Sequence, residues 1–435
     1  MLCSVGIGAL AQATDSNPSL LRLSAGAEFG DDNLLFSRAN LQINRATRTQ
    51  QFRFSADAKI AEISEADSNF GIISPRVRLS YAQQSGPVSF NVGYSYASDD
   101  IDGLAVLDDP DLLLDEDSFV TTRGTRTQHT GSLGAEYGES GPFGVRIDLG
   151  FTDLSYDDIG SAALFDNTVR TTDLALRFDV TRVFSVNATL GYSVDDRQDT
   201  LSTYQVRRDA SIGVGANVNR VTTAEATVSF SEIETEIDDG TGGRSSVTDD
   251  GFGFDLGLTI AQRGGESRFA YSRSVDIGGA DDRLTYSRTS ELTKTQSLSY
   301  TIGAIKQGDD VSFLGNVNFA QQLRNGQISV RGSQDGFVTN EGTRAIARQL
   351  RASYSTELTS TSSVTFAASL ASLDYNDAAV DDGSSAGASV TYRHELTRDW
   401  DVSATVSHSV TKEGDAEDGD TSLSVSLNRD FELFR

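Results

Sequence analysis

Residues 252–260 read Phe-Gly-Phe-Asp-Leu-Gly-Leu-Thr-Ile, and their strict alternation decides the fold. Phe252, Leu256 and Ile260 share one face with the other apolar members of the run, whereas Asp255 and Thr259 share the opposite face with two glycines. A period of two residues is that of a β-strand, because successive side chains point to opposite faces of a sheet. The stretch therefore predicts a strand with one apolar face and one small or polar face.

The same alternation recurs from about residue 20 to the end of the sequence, and many of the segments span 10–16 residues. Strands of soluble proteins average ~5–6 residues, whereas a strand that crosses a membrane needs ~9–11. Segment length therefore favours membrane-spanning strands over a soluble acidic β-repeat protein. About twenty strands are predicted, within a range of 16–22: 20–29, 37–47, 49–62, 71–84, 87–99, 121–139, 143–157, 168–182, 184–196, 203–219, 221–236, 248–263, 266–277, 284–305, 310–322, 344–358, 362–374, 388–396, 400–410 and 421–432.

Short and long connections alternate between the predicted strands. Ser85-Gly86-Pro87, Gly264-Gly265 and Gly308-Asp309 are short, whereas 99–120 and 323–343 are long and rich in polar residues and glycine. Short turns on one side and long loops on the other are typical of outer-membrane barrels, in which the short turns face the periplasm. An even number of strands also places both termini on the short-turn side.

The composition excludes several other classes of protein. Only 37% of the 435 residues are hydrophobic, which excludes a helical membrane protein, and a net charge of −27 argues against a nucleic-acid partner. The single cysteine, Cys3, excludes a disulfide framework and a cysteine-ligated metal. In hydrocarbon every backbone N–H and C=O must be paired within the protein, which strands achieve only in a closed barrel. The sequence therefore predicts an all-β, transmembrane, antiparallel up-and-down barrel with short periplasmic turns and long acidic external loops.

The N-terminal residues have the pattern of an export signal. Leu2 to Leu10 form an apolar stretch, and Ala11-Gln12-Ala13 has the small-x-small form of a cleavage site. No Lys or Arg precedes the apolar stretch, so the predicted segment is a remnant; an ordinary apolar strand is the alternative. The predicted organisation is a signal-peptide remnant at 1–13, an N-terminal extension at 14–19 and an outer-membrane barrel at 20–435.

The final strand, from Ser422 to Phe434, resembles the C-terminal strand of bacterial outer-membrane proteins, because it alternates apolar residues and ends in an aromatic one. The resemblance identifies Phe434 as a membrane-insertion signal for the barrel-insertion machinery, although Arg435 departs from that pattern. Residues 204–215, YQVRRDASIGVG, and 389–404, SVTYRHELTRDWDVSA, resemble the β-barrel porin type over about residues 20–435. Some barrels of that type accompany exopolysaccharide gene clusters.

The third predicted long connection, 99–120, mixes leucines with carboxylates. In general porins the third external loop folds into the barrel and narrows it, so the resemblance implies a constriction here. We expect the leucines to pack on the wall and the carboxylates to face inward arginines, which creates a transverse field for polar solutes. A solvated, Ca²⁺-bridged surface loop is the alternative. The predicted constriction consists of Asp102, Asp108, Asp109, Asp111, Asp115, Glu116, Asp117, Arg123, Arg146, Arg177 and Arg207.

The sequence predicts no catalytic, cofactor-binding or metal site. The three histidines, His129, His394 and His408, are accompanied by no motif of nucleophilic catalysis, so they are interpreted as polar or interfacial strand residues. Acidic clusters such as Asp249-Asp250 and Asp281-Asp282 are expected in loops, and their spacing matches no EF-hand. An enzyme is therefore not predicted.

Arginine supplies all but four of the cations. Its planar fork suits bidentate pairing with carboxylates, so strand arginines are expected to face the lumen in ladders with Asp and Glu. Arg208, Arg273 and Arg429 fall on the apolar register instead and are expected near a membrane edge, where the cost of lipid exposure falls to ~0–1 kcal/mol.

These features predict a porin-like outer-membrane channel for passive diffusion of small hydrophilic solutes, with cations favoured. A barrel for exopolysaccharide export or surface assembly and a structural or adhesive barrel without an open pore are the alternatives. The expected partners are outer-membrane lipid, lipopolysaccharide, the barrel-insertion machinery and small hydrophilic solutes.

Overall fold

The computed structural model describes most of the chain as strands and their connections. Within this part, no helix is long and apolar enough to cross a membrane. The predicted signal-peptide remnant, the extension up to residue 18 and Arg435 lie outside the described residues. These residues are 19–29, 34–63, 69–100, 124–139, 141–157, 164–199, 202–238, 243–276, 279–308, 310–338, 344–375, 382–414 and 416–434.

The strands form one sheet of 22 members. Their bounds are β1 (Ser19–Phe29), β2 (Leu34–Ala46), β3 (Gln50–Ile63), β4 (Asn69–Ser85), β5 (Val88–Asp100), β6 (Thr125–Tyr137), β7 (Phe143–Asp157), β8 (Asn167–Thr181), β9 (Phe184–Arg197), β10 (Tyr204–Asn217), β11 (Thr222–Asp238), β12 (Arg244–Gln262), β13 (Gly265–Asp276), β14 (Gly279–Thr293), β15 (Gln296–Gln307), β16 (Asp310–Leu323), β17 (Gly326–Val338), β18 (Arg344–Thr359), β19 (Ser362–Tyr375), β20 (Gly383–Glu395), β21 (Trp400–Glu413) and β22 (Ala416–Phe434).

The sheet closes on itself. Each strand pairs antiparallel with its neighbours in the sequence, and β1 lies between β2 and β22, with Ala25 opposite both Ser37 and Leu427. Because the first and last strands pair, neither leaves an unpaired edge in lipid. The predicted all-β antiparallel up-and-down barrel is confirmed, with 22 strands where the sequence pattern indicates about twenty.

Two strands account for the difference in number. The predicted strand 284–305 is two strands, β14 and β15, joined by the turn Lys294-Thr295. The predicted long connection 323–343 contains β17, which pairs with β16 and β18. The turn Lys294-Thr295 consists of polar residues, like the polar face of a strand. The alternating pattern therefore continues through this turn without a visible break. As a consequence, Gly308, predicted on the short-turn side, lies on the long-loop side.

An apolar belt surrounds the outside of the barrel. On β12, Phe252 and Leu256 are 62% and 51% exposed, although both are large and apolar. Phe230 of β11 packs edge-on against Phe252, with 5.4 Å between the ring centroids. Contact with hydrocarbon accounts for such exposure, and the nine residues 252–260 match the length that crosses an outer-membrane apolar band of about 25 Å.

Several strands continue beyond this belt on the long-loop side as polar strands. Arg208 pairs with Glu232 at 2.5 Å. Glu232 is the next outward-facing residue after Phe230 on β11, and it lies opposite Arg208. Arg273 pairs with Asp282 at 3.6 Å at the same end. Both arginines therefore lie near the belt's edge, as predicted. The clusters Asp249-Asp250 and Asp281-Asp282, expected in loops, lie in β12 and β14 because these strands project past the belt.

The opposite edge of the belt carries the ten short turns, which contain two to five residues each. Ser19 and Phe434 lie beside each other at this edge, so both described ends are on the short-turn side. Arg429 is also here, with its guanidinium carbon 5.1 Å from the ring centroid of Trp400 and 4.5 Å from that of Phe431. Cation–π contact with two aromatic rings accommodates this arginine at the membrane interface.

Candidate functional site

The inward face of the barrel is the candidate site, and it is polar. On β12 the residues opposite the belt include Asp255 and Thr259, and they lie next to Thr227 and Thr223 of β11. Barrels of 16–18 strands already enclose an aqueous channel, and the diameter grows with strand number. A closed wall of 22 strands therefore encloses a lumen wider than that of a porin.

Four strands, β7 to β10, carry a ladder of ion pairs along the lumen wall. In each pair the arginine and the aspartate are two residues apart on one strand, so both point inward and lie about 7 Å apart along the backbone. This spacing is within reach of the long arginine side chain, and it agrees with the predicted pairing. The pairs are Arg146–Asp148 (2.6 Å), Arg177–Asp179 (3.8 Å), Asp195–Arg197 (2.5 Å) and Arg207–Asp209 (2.9 Å).

Arg177 is placed at the short-turn rim. Its guanidinium group donates hydrogen bonds to the backbone carbonyl oxygens of Gly138 (3.2 Å), Glu139 (2.6 Å) and Gly141 (3.1 Å). These carbonyls belong to the turn between β6 and β7. Arg177 therefore holds the turn between β6 and β7 in place, a role that the sequence pattern did not indicate.

The structure does not gather the predicted constriction arginines at one height. Arg207 lies opposite Ser193 of β9, and Ser193 lies opposite Thr171 of β8. Arg207 is therefore level with Thr171, which is six residues from Arg177 on β8. Six residues correspond to about 20 Å along a strand. Arg146 and Arg177 lie on neighbouring strands, near the short-turn end. The other predicted members lie outside the described residues, so the constriction stays a prediction: Asp102, Asp108, Asp109, Asp111, Asp115, Glu116, Asp117 and Arg123.

The wall formed by β19 to β22 is rich in hydroxyl groups. Cross-strand hydrogen bonds join Thr391 to Thr405 at 3.0 Å and Ser407 to Ser422 at 2.7 Å. In a closed barrel of 22 strands, the strand eleven positions away lies on the opposite side, so β20 faces β9 across the lumen. A hydroxyl-rich wall therefore faces the ladder of ion pairs.

A buried carboxylate links the strands at the closing seam. Asp401 on β21 is 4% exposed and forms ion pairs with Arg22 of β1 and with Arg393 of β20, the latter at 2.9 Å. Asn428 of β22 donates a hydrogen bond to the other carboxylate oxygen at 2.8 Å. Side chains of four strands, on both sides of the seam, thus meet at Asp401. Sequence reasoning did not identify this cluster because one partner, Arg22, is 379 residues away from Asp401 in the sequence.

The three histidines lie apart on the outer face. His129 lies beside Tyr96, with 4.9 Å between ring centroids, and its Nδ1 is 2.9 Å from the Tyr94 hydroxyl. His394 stacks on Tyr392, and His408 contacts Thr421 at 2.8 Å. This placement agrees with the interpretation of all three as interfacial strand residues.

The long-loop rim of the lumen carries carboxylates. Asp418 and Asp420 on β22 are exposed and lie opposite Thr411 and Ser409 of the inward face of β21. Asp249 occupies an inward position on β12, opposite Ile233. These carboxylates place negative charge at the mouth on this side.

Comparisons with known proteins identify the fold. No family model matches the sequence, and no curated protein matches it. Among solved structures, the chain is similar to the ferric-catecholate import receptor Fiu from E. coli K12 in its open form, with 10% identity, a TM-score of 0.62 and coverage of 95% of this chain and 82% of that chain. It is also similar to the FrpB iron transporter from Neisseria meningitidis, with 9% identity, a TM-score of 0.60 and coverage of 95% of this chain and 81% of that chain. A third similar structure is the siderophore receptor PirA from Acinetobacter baumannii, with 8% identity, a TM-score of 0.58 and coverage of 97% of this chain and 81% of that chain.

These likenesses support an outer-membrane barrel fold in general and not a porin type in particular. Even-numbered, closed antiparallel barrels with an apolar belt are the spanning architecture of bacterial outer membranes. The predicted location in the bacterial outer membrane is confirmed.

Proposed function

We propose that the chain forms a water-filled channel through which small hydrophilic solutes diffuse across the outer membrane. The inward face carries this proposal, because in the described strands it consists mainly of Ser, Thr, Gly, Asn and charged residues. Hydroxyl pairs such as Ser403–Ser426 and ion pairs such as Arg38–Asp57 leave a hydrated wall. A solute that crosses such a wall exchanges hydrogen bonds with water and protein and meets no continuous apolar barrier.

Cations are favoured because the long-loop mouth is acidic. Asp249, Asp418 and Asp420 face this mouth without forming an ion pair within the described residues, whereas the arginines of the ladder on β7 to β10 have carboxylate partners. Unpaired carboxylates at an entrance raise the local concentration of cations. The pairs in the ladder contribute little net charge to the passage.

The reversal potential of the purified protein in a planar bilayer across a salt gradient tests this proposal. We expect the reversal potential to have the sign that corresponds to higher permeability for the cation of the salt than for its anion. The triple variant Asp249→Asn, Asp418→Asn, Asp420→Asn should bring the potential closer to zero. The matched control is Asp250→Asn, Glu234→Gln, Glu236→Gln, which removes the same charge from the outer surface of the same rim. An anion-selective barrel would contradict the cation preference, and equal shifts in the two triples would contradict its assignment to the inward carboxylates.

A second candidate is a barrel that takes up a specific ligand, as the structures of a ferric-catecholate import receptor and a siderophore receptor suggest. The strand number favours it, because outer-membrane transporters with 22 strands have a plugged lumen. Single-channel recording without added ligand distinguishes the two functions. Steady conductance supports the diffusion channel, whereas a barrel that folds and inserts but does not conduct supports ligand-specific uptake.

A further inference from the structure

The short turns of the barrel carry a ring of cations. Seven of the ten short turns contain one Lys or Arg, and Glu139 and Asp399 are the only carboxylates among the residues of these turns. The connections on the opposite side contain a single cation, Arg123, among many Asp and Glu residues. We call the seven residues the basic collar: Arg48, Arg182, Arg220, Arg263, Lys294, Arg324 and Arg398.

The collar cations are exposed and mostly unpaired. All seven are exposed, and only Arg398 has a carboxylate partner in the part of the chain that the structure describes, namely Glu432 at 3.4 Å. By contrast, arginines of the lumen wall such as Arg146 and Arg207 pair with aspartates on their own strands. The collar is therefore free to bind anions from outside the protein.

Exposed aliphatic side chains accompany these cations. Val183 follows Arg182 and is 55% exposed, and Val221 follows Arg220 and is 51% exposed. Leu292, two residues before Lys294, is also 51% exposed. Each of these turns thus presents an apolar group beside a cation, which suits the boundary between acyl chains and headgroups better than bulk water.

The depth of the collar matches that of lipid phosphates. Arg324 directly follows Leu323, and Arg182 lies two residues from Phe184, so these cations are about 3–7 Å past the belt. A bilayer with a hydrocarbon core of about 30 Å measures about 40–45 Å with its headgroups, which leaves roughly 5–8 Å for each headgroup layer. Arginine also bonds phosphate oxygens bidentately.

We propose that the basic collar binds the phosphate groups of anionic phospholipids in the leaflet that the short turns face. Because the opposite rim is rich in carboxylates, this binding also fixes which end of the barrel lies in the phospholipid leaflet. A soluble acidic protein is the less suitable partner, since the cations lie within the headgroup layer and beside exposed aliphatic side chains.

The relative association of spin-labelled phosphatidylglycerol and phosphatidylcholine with the full-length barrel, reconstituted in phosphatidylcholine vesicles, tests the proposal. Phosphatidylglycerol should associate about fivefold more strongly, the ratio expected for one favourable cation beside an anionic headgroup. Replacing all seven collar residues with Gln should bring the ratio to about 1. A migration shift between unboiled and boiled samples on SDS gels reports that each variant is folded.

The control variant removes seven cations from the opposite rim: Arg170, Arg208, Arg244, Arg273, Arg344, Arg348 and Lys412, each replaced with Gln. It has the same net charge as the collar variant and should keep the lipid preference. High salt should abolish the preference of the unmodified protein, which tests the electrostatic origin without any substitution. Equal association of the two lipids with the unmodified barrel, or equal loss in both variants, would overturn the proposal.

Discussion

At the residue scale, the buried carboxylate of Asp401 links the strands on both sides of the closing seam. Arg22, Arg393 and Asn428 all bind it, and they lie on three different strands. The two cations keep contact with the lumen water, with side-chain exposures of 32% and 43%, whereas the side chain of Asp401 is 6% exposed. The burial of the shared anion, with its hydrogen bonds satisfied, makes its charge important for stability.

Replacing Asp401 with Asn should therefore destabilise the folded barrel. The amide cannot neutralise the two guanidinium groups, and we expect the free energy of unfolding to fall by about 2–3 kcal/mol, the range for hydrogen bonds to charged groups that lose their partner. Urea titration of the protein in lipid vesicles measures this change. The control is Asp430→Asn: Asp430 pairs with Arg22 at 3.3 Å but is 35% exposed, so about 0–1 kcal/mol is expected. Equal losses in the two variants would contradict the assigned role of burial.

At the scale of a single strand, β12 divides into two halves. Residues 252–260 supply the belt, whereas residues 244–250 project past it as part of a polar rim. Thr248 and Leu256 lie on the same outward face, eight residues and about 27 Å apart along the strand. The backbone pairing with β11 is continuous through both halves. The two halves therefore differ only in their side chains, which suit hydrocarbon in one half and water in the other.

The division of β12 predicts a depth-dependent cost for a charge. Leu256→Arg should lower the free energy of unfolding by about 2–4 kcal/mol, because it places a guanidinium group near the middle of the hydrocarbon. Thr248→Arg, the control on the same face, should cost about 0–1 kcal/mol because it lies at or beyond the interface. Unfolding in urea-containing lipid vesicles measures both. Similar costs at the two positions would show that the belt extends further along the strand than proposed.

Strand boundaries show where sequence reasoning fails. Alternation identified β12 and most other strands because an apolar outer face and a polar inner face must alternate along each of them. It missed the turn at Lys294-Thr295 because polar turn residues continue the pattern of a polar face. It also missed β17, because Gly332, Gln334 and Gly336 occupy the outward register where apolar residues were expected.

At the scale of the whole molecule, the lumen is asymmetric. The ladder on β7 to β10, including Arg207–Asp209 at 2.9 Å, lies across the barrel from the hydroxyl-rich wall of β19 to β22. The first wall carries four ion pairs, whereas the second combines rotatable hydroxyl dipoles with the ion pair of Asp401 and Arg393 near its short-turn end. The ion pairs and hydroxyl dipoles of both walls act on the dipole of a polar solute in the passage.

The connection 101–124 is the place where this lumen would be narrowed. If it folds inward, deletion of 103–116 should raise the single-channel conductance and change the selectivity, because it removes five of the seven carboxylates of the predicted constriction. Deletion of 377–381, in another connection on the same side, is the control and should leave both unchanged. Unchanged conductance after the first deletion would exclude the constriction.

The sequence by itself determined that the chain is a transmembrane β-barrel, because period two and segment length are local properties that the bilayer imposes on every strand. It also determined the acidic character of the long connections, whereas the basic short turns emerged only with the strand boundaries, since Lys294 and Arg324 lie inside a predicted strand and a predicted long connection. Only the tertiary structure decided that Arg177 holds a turn, that Asp401 joins both sides of the seam and that Arg146 and Arg207 lie at different heights. These facts depend on strand register and closure, which bring together residues from 36 to 379 positions apart. Alternation fixes the face on which a side chain lies, but it does not fix which residue lies opposite, because a shift by two residues leaves the pattern unchanged.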